Sequence, residues 1–105
     1  MHEINGKLFD WDTKKNTINI IKHGISFKEA ATVFSDKSAK YFDDDTHSMD
    51  EERYVVIGKS KRLKILMVCH CYRENDEIIR LISARKANKQ ESKTYVGGKQ
   101  NERTL

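Results

Sequence analysis

The sequence has no proline, five glycines and two cysteines, and each shortage removes a class of protein. Without a Pro- or Gly-rich segment there is no linker at which 105 residues could divide, so one domain is expected over 1–105. A chain of that size can close a single core without covalent staples. The two thiols, Cys69 and Cys71, stand two apart on a predicted strand and therefore point the same way. Strand neighbours do not readily meet disulfide geometry, and no second cysteine pair completes a zinc site, so buried thiols are expected. Long hydrophobic runs are missing too. The longest, Ile65-Leu66-Met67-Val68-Cys69, is too short for a membrane span or a signal-peptide core. A cytoplasmic protein with no membrane contact is the expectation.

Charge is plentiful. Lys and Arg number 20 against 16 Asp and Glu, but six of those acids (Asp43, Asp44, Asp45, Asp50, Glu51, Glu52) share one ten-residue window. The remaining ten acids face all 20 cations, a surplus suited to phosphates or to an acidic protein. The acidic window lacks the D-x-D-x-D-G order of a calcium loop and reads as a solvated rim. No metal or cofactor site is expected.

Along the chain, Lys7 to Trp11 reads as a first strand and Asp12 as the N-cap of a helix. Trp11, Ile18, Ile21 and Ile25 fall on one helical stripe, which predicts the buried face of that helix. Lys22-His23-Gly24 reads as its stop: cations at the negative end of the dipole, then a left-handed glycine. Ser26 to Glu29 is a capping box for a second helix carrying Phe27, Ala30, Ala31 and Phe34 at i, i+3, i+4 and i+7. The two helices should form a hairpin on a sheet. Strands are then expected at 39–43, 53–58, 63–72 and 77–83, the last three as an antiparallel meander. Asn88 to Glu91 repeats the capping-box spacing and opens a short last helix to about Tyr95. Residues from about 97 onward read as a frayed tail. The expected fold is α+β, in the order β-α-α-β-β-β-β-α.

The fifth strand carries the chemistry of interest. Ile78-Ile79-Arg80-Leu81-Ile82 is aliphatic enough to be central, yet it includes Arg80, and Arg85 follows where strand is expected to give way to helix. A guanidinium there is either paired with a carboxylate or looks into a wet cleft. With the turn placed at Glu74-Asn75-Asp76, Tyr72 would oppose Ile78, and His70 would oppose Arg80. His70, Tyr72 and Arg80 would then share a face, with Ile65, Met67, Cys69, Cys71, Ile79 and Leu81 turned toward the helices.

Trp11-Asp12, Lys22-His23-Gly24, Asp50-Glu51-Glu52-Arg53 and Ile82-Ser83-Ala84-Arg85-Lys86-Ala87, in that order, resemble the BrnT family over residues 8 to 95. The sequence departs from the family pattern in the Cys69-His70-Cys71-Tyr72 stretch, where a small polar residue is expected in place of Cys71 or Tyr72, and in the acidic loop. The resemblance implies a RelE-like fold, an endoribonuclease toxin of a type II toxin–antitoxin module, and a BrnA-type antitoxin. That partner's ribbon-helix-helix region would bind DNA, so the toxin would meet DNA only indirectly.

RNA cleavage without a metal needs a base for the 2′-hydroxyl, a cation for the phosphorane and an acid for the leaving oxygen. The residues suited to these roles are Arg80 and Arg85 as a phosphate clamp and His70 or His23 as the proton-transfer group. Glu52 and Arg53 would orient them. Lys22, Arg53, Lys86 and Lys89 would hold RNA backbone. The rival reading is a basic module that binds RNA or protein without turnover.

Overall fold

The computed structural model describes residues 1–44 and 52–97. The chain runs β1 (His2–Ile4), β2 (Lys7–Asp10), α1 (Thr13–His23), α2 (Phe27–Ala31), a 3-10 turn (Thr32–Ser35), β3 (Lys40–Asp43), β4 (Tyr54–Lys59), β5 (Ile65–Arg73), β6 (Ile78–Lys86) and α3 (Lys89–Gly97). The strand β1 is an addition to the expected order. Most of the acidic window and the tail beyond Gly97 lie outside the described residues.

One six-stranded sheet holds the molecule together, in the order β1-β2-β6-β5-β4-β3. The expected meander of β4, β5 and β6 is present, and every pairing is antiparallel except that of β2 with β6. That parallel pair follows from α1, α2 and three strands intervening before the chain returns beside β2. Among the described residues, no helix is long and apolar enough to cross a membrane.

Helix boundaries follow local chemistry. Asp12 accepts hydrogen bonds from the N–H groups of Lys14 and Lys15 at 2.7 and 3.2 Å. Gly24, at φ 72°, closes α1 in the left-handed region that a glycine enters without strain. Ser26 caps α2 through Glu29 N–H at 3.0 Å. In α3, Asn88 accepts from Glu91 N–H while the Glu91 carboxylate accepts from Asn88 N–H, the full reciprocal box.

The core lies between one sheet face and α2 with its 3-10 continuation. Phe9, Phe27, Ala30, Val33, Val56, Leu66 and Val68 are fully buried there. Helix α1 does not follow the predicted stripe. Ile18 and Ile21 are 58% and 80% exposed, and the one buried residue of α1 is Asn19. Its amide donates to the carbonyls of Ile25 and Ala84 at 2.8 and 2.7 Å and accepts from Ala84 N–H at 3.1 Å. β2 pairs with β6 only as far as Arg80, so the backbone of Ala84 would otherwise lack a partner on that side. Asn19 supplies it, in place of a strand.

The β5–β6 register also differs from expectation. The turn takes four residues, Glu74 to Glu77, rather than three, and Glu74, Asn75 and Asp76 all have positive φ. Glu77 N–H bonds back to Arg73 O at 3.1 Å. Ile78 therefore faces Arg73, Arg80 faces Cys71, and His70 faces Leu81. A one-residue slip exchanges the two faces of a strand. Leu66, Val68 and His70, not the odd-numbered set, are the β5 residues turned to the helices, beside Ile79 and Leu81.

Candidate functional site

Strand alternation alone would send Arg80 and Arg85, five positions apart, to opposite faces. They share a face because β6 carries a bulge. The pairs His70–Leu81 and Cys69–Ser83 skip Ile82, which has no counterpart on β5. Arg80 therefore opposes Cys71 and Arg85 opposes Met67, two residues of equal parity on an unbroken β5. Arg85 Nη2 lies 2.9 Å from Met67 Sδ, on that same side. Arg85 thus belongs to the strand, not to a strand-to-helix junction.

Both arginines are half-buried and ion-paired. Arg80 Nη1 donates to Asp10, its parallel partner on β2. Arg85 grips Glu91 of α3 with both Nη atoms at 2.9 Å, and Nη1 also reaches Lys86 O at 3.2 Å. The bidentate bond raises the Arg85 pKa and holds the Glu91 carboxyl below the usual carboxylate range. Neither Asp10 nor Glu91 was singled out by sequence reasoning. No local pattern marks a carboxylate whose partner is 70 residues away, whereas Glu91 was legible as a cap but not as an arginine ligand. Cys69, on the same face, has its thiol pushed up to about 11 by burial and by Asp44, whose Oδ2 is 3.6 Å away. It is no nucleophile at neutral pH. Arg53 is half-buried close to Cys69.

Lys22 and His23 end α1. Asn16, Asn19 and His23 form one helical stripe, and Asn19 is bonded to Ala84. His23 thus stands on the side of α1 that meets the β6 edge, one turn beyond Asn19 or about 6 Å. It is exposed, as are Lys22, Lys86 and Lys89.

His70 and Glu52 are elsewhere. His70 is completely buried on the helix-bearing face, within 4.8 Å of the Phe34 ring and ringed by Tyr41, Tyr54 and Tyr72. Its Nδ1 lies 3.2 Å from Val68 O, which only accepts, so Nδ1 carries the proton and Nε2 faces Tyr72 Oη at 3.4 Å. Burial pushes its pKa down to about 4. Expected to sit against Arg80, it is on the other side of the sheet. Glu52 accepts a 2.9 Å hydrogen bond from Tyr54 Oη. Tyr41, Tyr54, Tyr72 and Asp76 line a hollow of about 380 Å³ there. Carboxylates of Glu52 and Asp76 raise the Tyr54 pKa, and burial and Asp76 raise that of Tyr72.

Fold and site together define a small basic α+β domain whose arginines gather on the sheet face away from α2, beside the end of a cationic helix. The chain belongs to the BrnT family: residues 11–91 match the model for "Ribonuclease toxin, BrnT, of type II toxin-antitoxin system". The crystal structure of the Brucella abortus ribonuclease toxin, BrnT, is similar at a TM-score of 0.60, with 28% identity over 79% of this chain and 99% of that one. No curated protein matches the chain.

Proposed function

We propose that this chain is an endoribonuclease toxin that cleaves RNA without a metal, by attack of a 2′-hydroxyl on the adjacent phosphate, and that a BrnA-type ribbon-helix-helix antitoxin neutralises it. The observation that carries this reading is the bulge at Ile82. It spends a ladder position to put two guanidinium groups on one face, and bulges recur beside active sites for that kind of re-aiming. Arg80 and Arg85 hold the scissile phosphate and Arg53 adds charge to it. Their in-chain carboxylates orient them beforehand. An incoming phosphodiester, which can itself accept from both Nη atoms of a guanidinium, competes with these carboxylates, more readily at Arg80 than at the bidentate Arg85–Glu91 pair.

His23 is the proton-transfer group, since it is the exposed imidazole on the side of α1 facing β6. Lys22, Lys86 and Lys89 draw the RNA backbone toward it. His70 and Glu52, on the opposite side, take no part in the chemistry. The arginine ion pairs also fit the rival reading, in which the face only binds.

RNA incubated with the chain in EDTA separates the two. Cleavage leaving 2′,3′-cyclic phosphate ends is expected, with Arg80→Ala slower by about 10²-fold or more and His23→Ala by a factor of about 10² to 10⁴. Retardation of RNA without cleavage, 5′-phosphate products or full activity in Arg80→Ala would overturn the scheme.

A further inference from the structure

Helix α1 is built inside out. Its inward stripe, Asn16, Asn19 and His23, is polar. Asn16 Oδ1 accepts from Phe27 N–H at 2.8 Å and Asn19 makes the three bonds already described. The outward stripe, Lys14, Ile18 and Ile21, is apolar with a cation at its head. Ile21 is 80% exposed, Ile18 58% and Ile20, on the flank, 44%. Scattered single hydrophobics on a surface mean little, but neighbouring isoleucines on one short helix form a patch. Nothing in α1 requires β-branched residues in water, where they also lower helix propensity.

The charge that α1 itself carries is of one sign. Lys14, Lys15, Lys22 and His23 lie on α1, which contains no Asp or Glu. A basic partner is repelled there, and RNA has no use for exposed aliphatic side chains. A second copy of the chain would bring the same cations against these. The complement is an amphipathic protein segment with aliphatic residues at helical spacing and carboxylates flanking them.

We propose that the Ile18–Ile21 face of α1 is the docking surface of the antitoxin, and that an acidic amphipathic segment of that partner covers it. α1 runs beside β6 from the level of Arg80, whose charge acts on Asp12, past Ala84. A segment laid along the outward stripe lies across α1 from β6, so docking there anchors the partner next to the arginine face, which the rest of that partner can then reach. This deepens the toxin reading by naming the surface its partner uses. It rests on the toxin–antitoxin half of that reading and not on the chemistry.

The test uses the full chain and the antitoxin encoded with it. Affinity is measured by calorimetry for wild type, Ile18→Lys/Ile21→Lys and Lys14→Glu/Lys15→Glu, with Leu63→Lys as an equally exposed control 77% open to solvent in wild type. The isoleucine variant should lose at least 100-fold in affinity and the charge-reversed variant at least tenfold, while the control binds as wild type. Thermal unfolding and RNA cleavage should be unchanged in the isoleucine variant, which separates lost docking from lost folding. Wild-type affinity in that variant overturns the proposal. So does a concentration-dependent dimer of the chain alone that dissociates on the same substitutions, because the occupant is then a second copy. If cleavage is absent from every form while the affinity losses stand, the catalytic scheme fails and the docking surface survives.

Discussion

His70 shows what burial does to an imidazole. Packed edge-on against Phe34 and enclosed by three tyrosines, it meets no supporting carboxylate among the described residues, and burial lowers its pKa to about 4. The unfolded chain takes up a proton near pH 6.5, and the folded chain does so only near pH 4. Between those values the unfolded state binds more protons, so stability is complete above pH 6.5 and declines as the pH falls toward 4. The effect at pH 4 is on the order of 3 kcal/mol for a shift this size. Chemical denaturation at pH 7.5 and 4.5 should show most of that loss in wild type. His70→Phe, which retains the packing without the proton site, should flatten the dependence. Equal dependence in both would mean that other groups drive it.

At the level of single elements, the two asparagines of α1 do what apolar packing does elsewhere. Asn19→Leu is the sharp case: it offers a better helix former and more hydrocarbon, yet leaves the Ala84 backbone and the Ile25 carbonyl unpaired. Each buried orphan costs about 1–3 kcal/mol, so a net loss of several kcal/mol is expected despite the gain in propensity. Urea denaturation measures it, and a neutral or stabilising result would mean that water replaces the amide. The same residue explains where the sequence was legible. Asp12, Gly24, Ser26 and the Asn88–Glu91 box act within four residues of themselves, and they stand where local chemistry put them. The buried face of α1 was unreadable because Asn19's partner is 65 positions away. The shared face of Arg80 and Arg85 was equally hidden. A bulge leaves no mark in alternation, and the turn before β6 used one residue more than its Glu74-Asn75-Asp76 signal suggested. Arg80 and Arg85 could be singled out as unusual strand residues, but their geometry came from the ladder.

At the scale of the whole molecule, the sheet separates two surfaces of opposite character. One carries Arg53, Arg80 and Arg85 with the lysines of α1 and α3 at its margin. The other has the tyrosine hollow, lined by Asp76 and bordered by Glu52, whose carboxylates raise the Tyr54 pKa. Aromatic rings on a sheet can stack bases, and the hollow invites that reading. The carboxylates argue against it, because a base cannot enter without its phosphate. A strand of RNA therefore has one electrostatically open face, and binding there should follow counterion release. For single strands the logarithm of the affinity falls with the logarithm of salt at about 0.7 per phosphate neutralised, so three or four contacts give a slope of roughly −2 to −3. Measured with a non-hydrolysable 2′-deoxy substrate, Arg80→Ala should lower that slope by somewhat less than one, as removal of a single phosphate contact requires. Tyr72→Phe and Asp76→Asn should leave both slope and affinity as in wild type. A loss of affinity in Tyr72→Phe with an unchanged slope in Arg80→Ala would move the RNA to the other side of the sheet, and the arginines would then be structural ties between β2, β6 and α3.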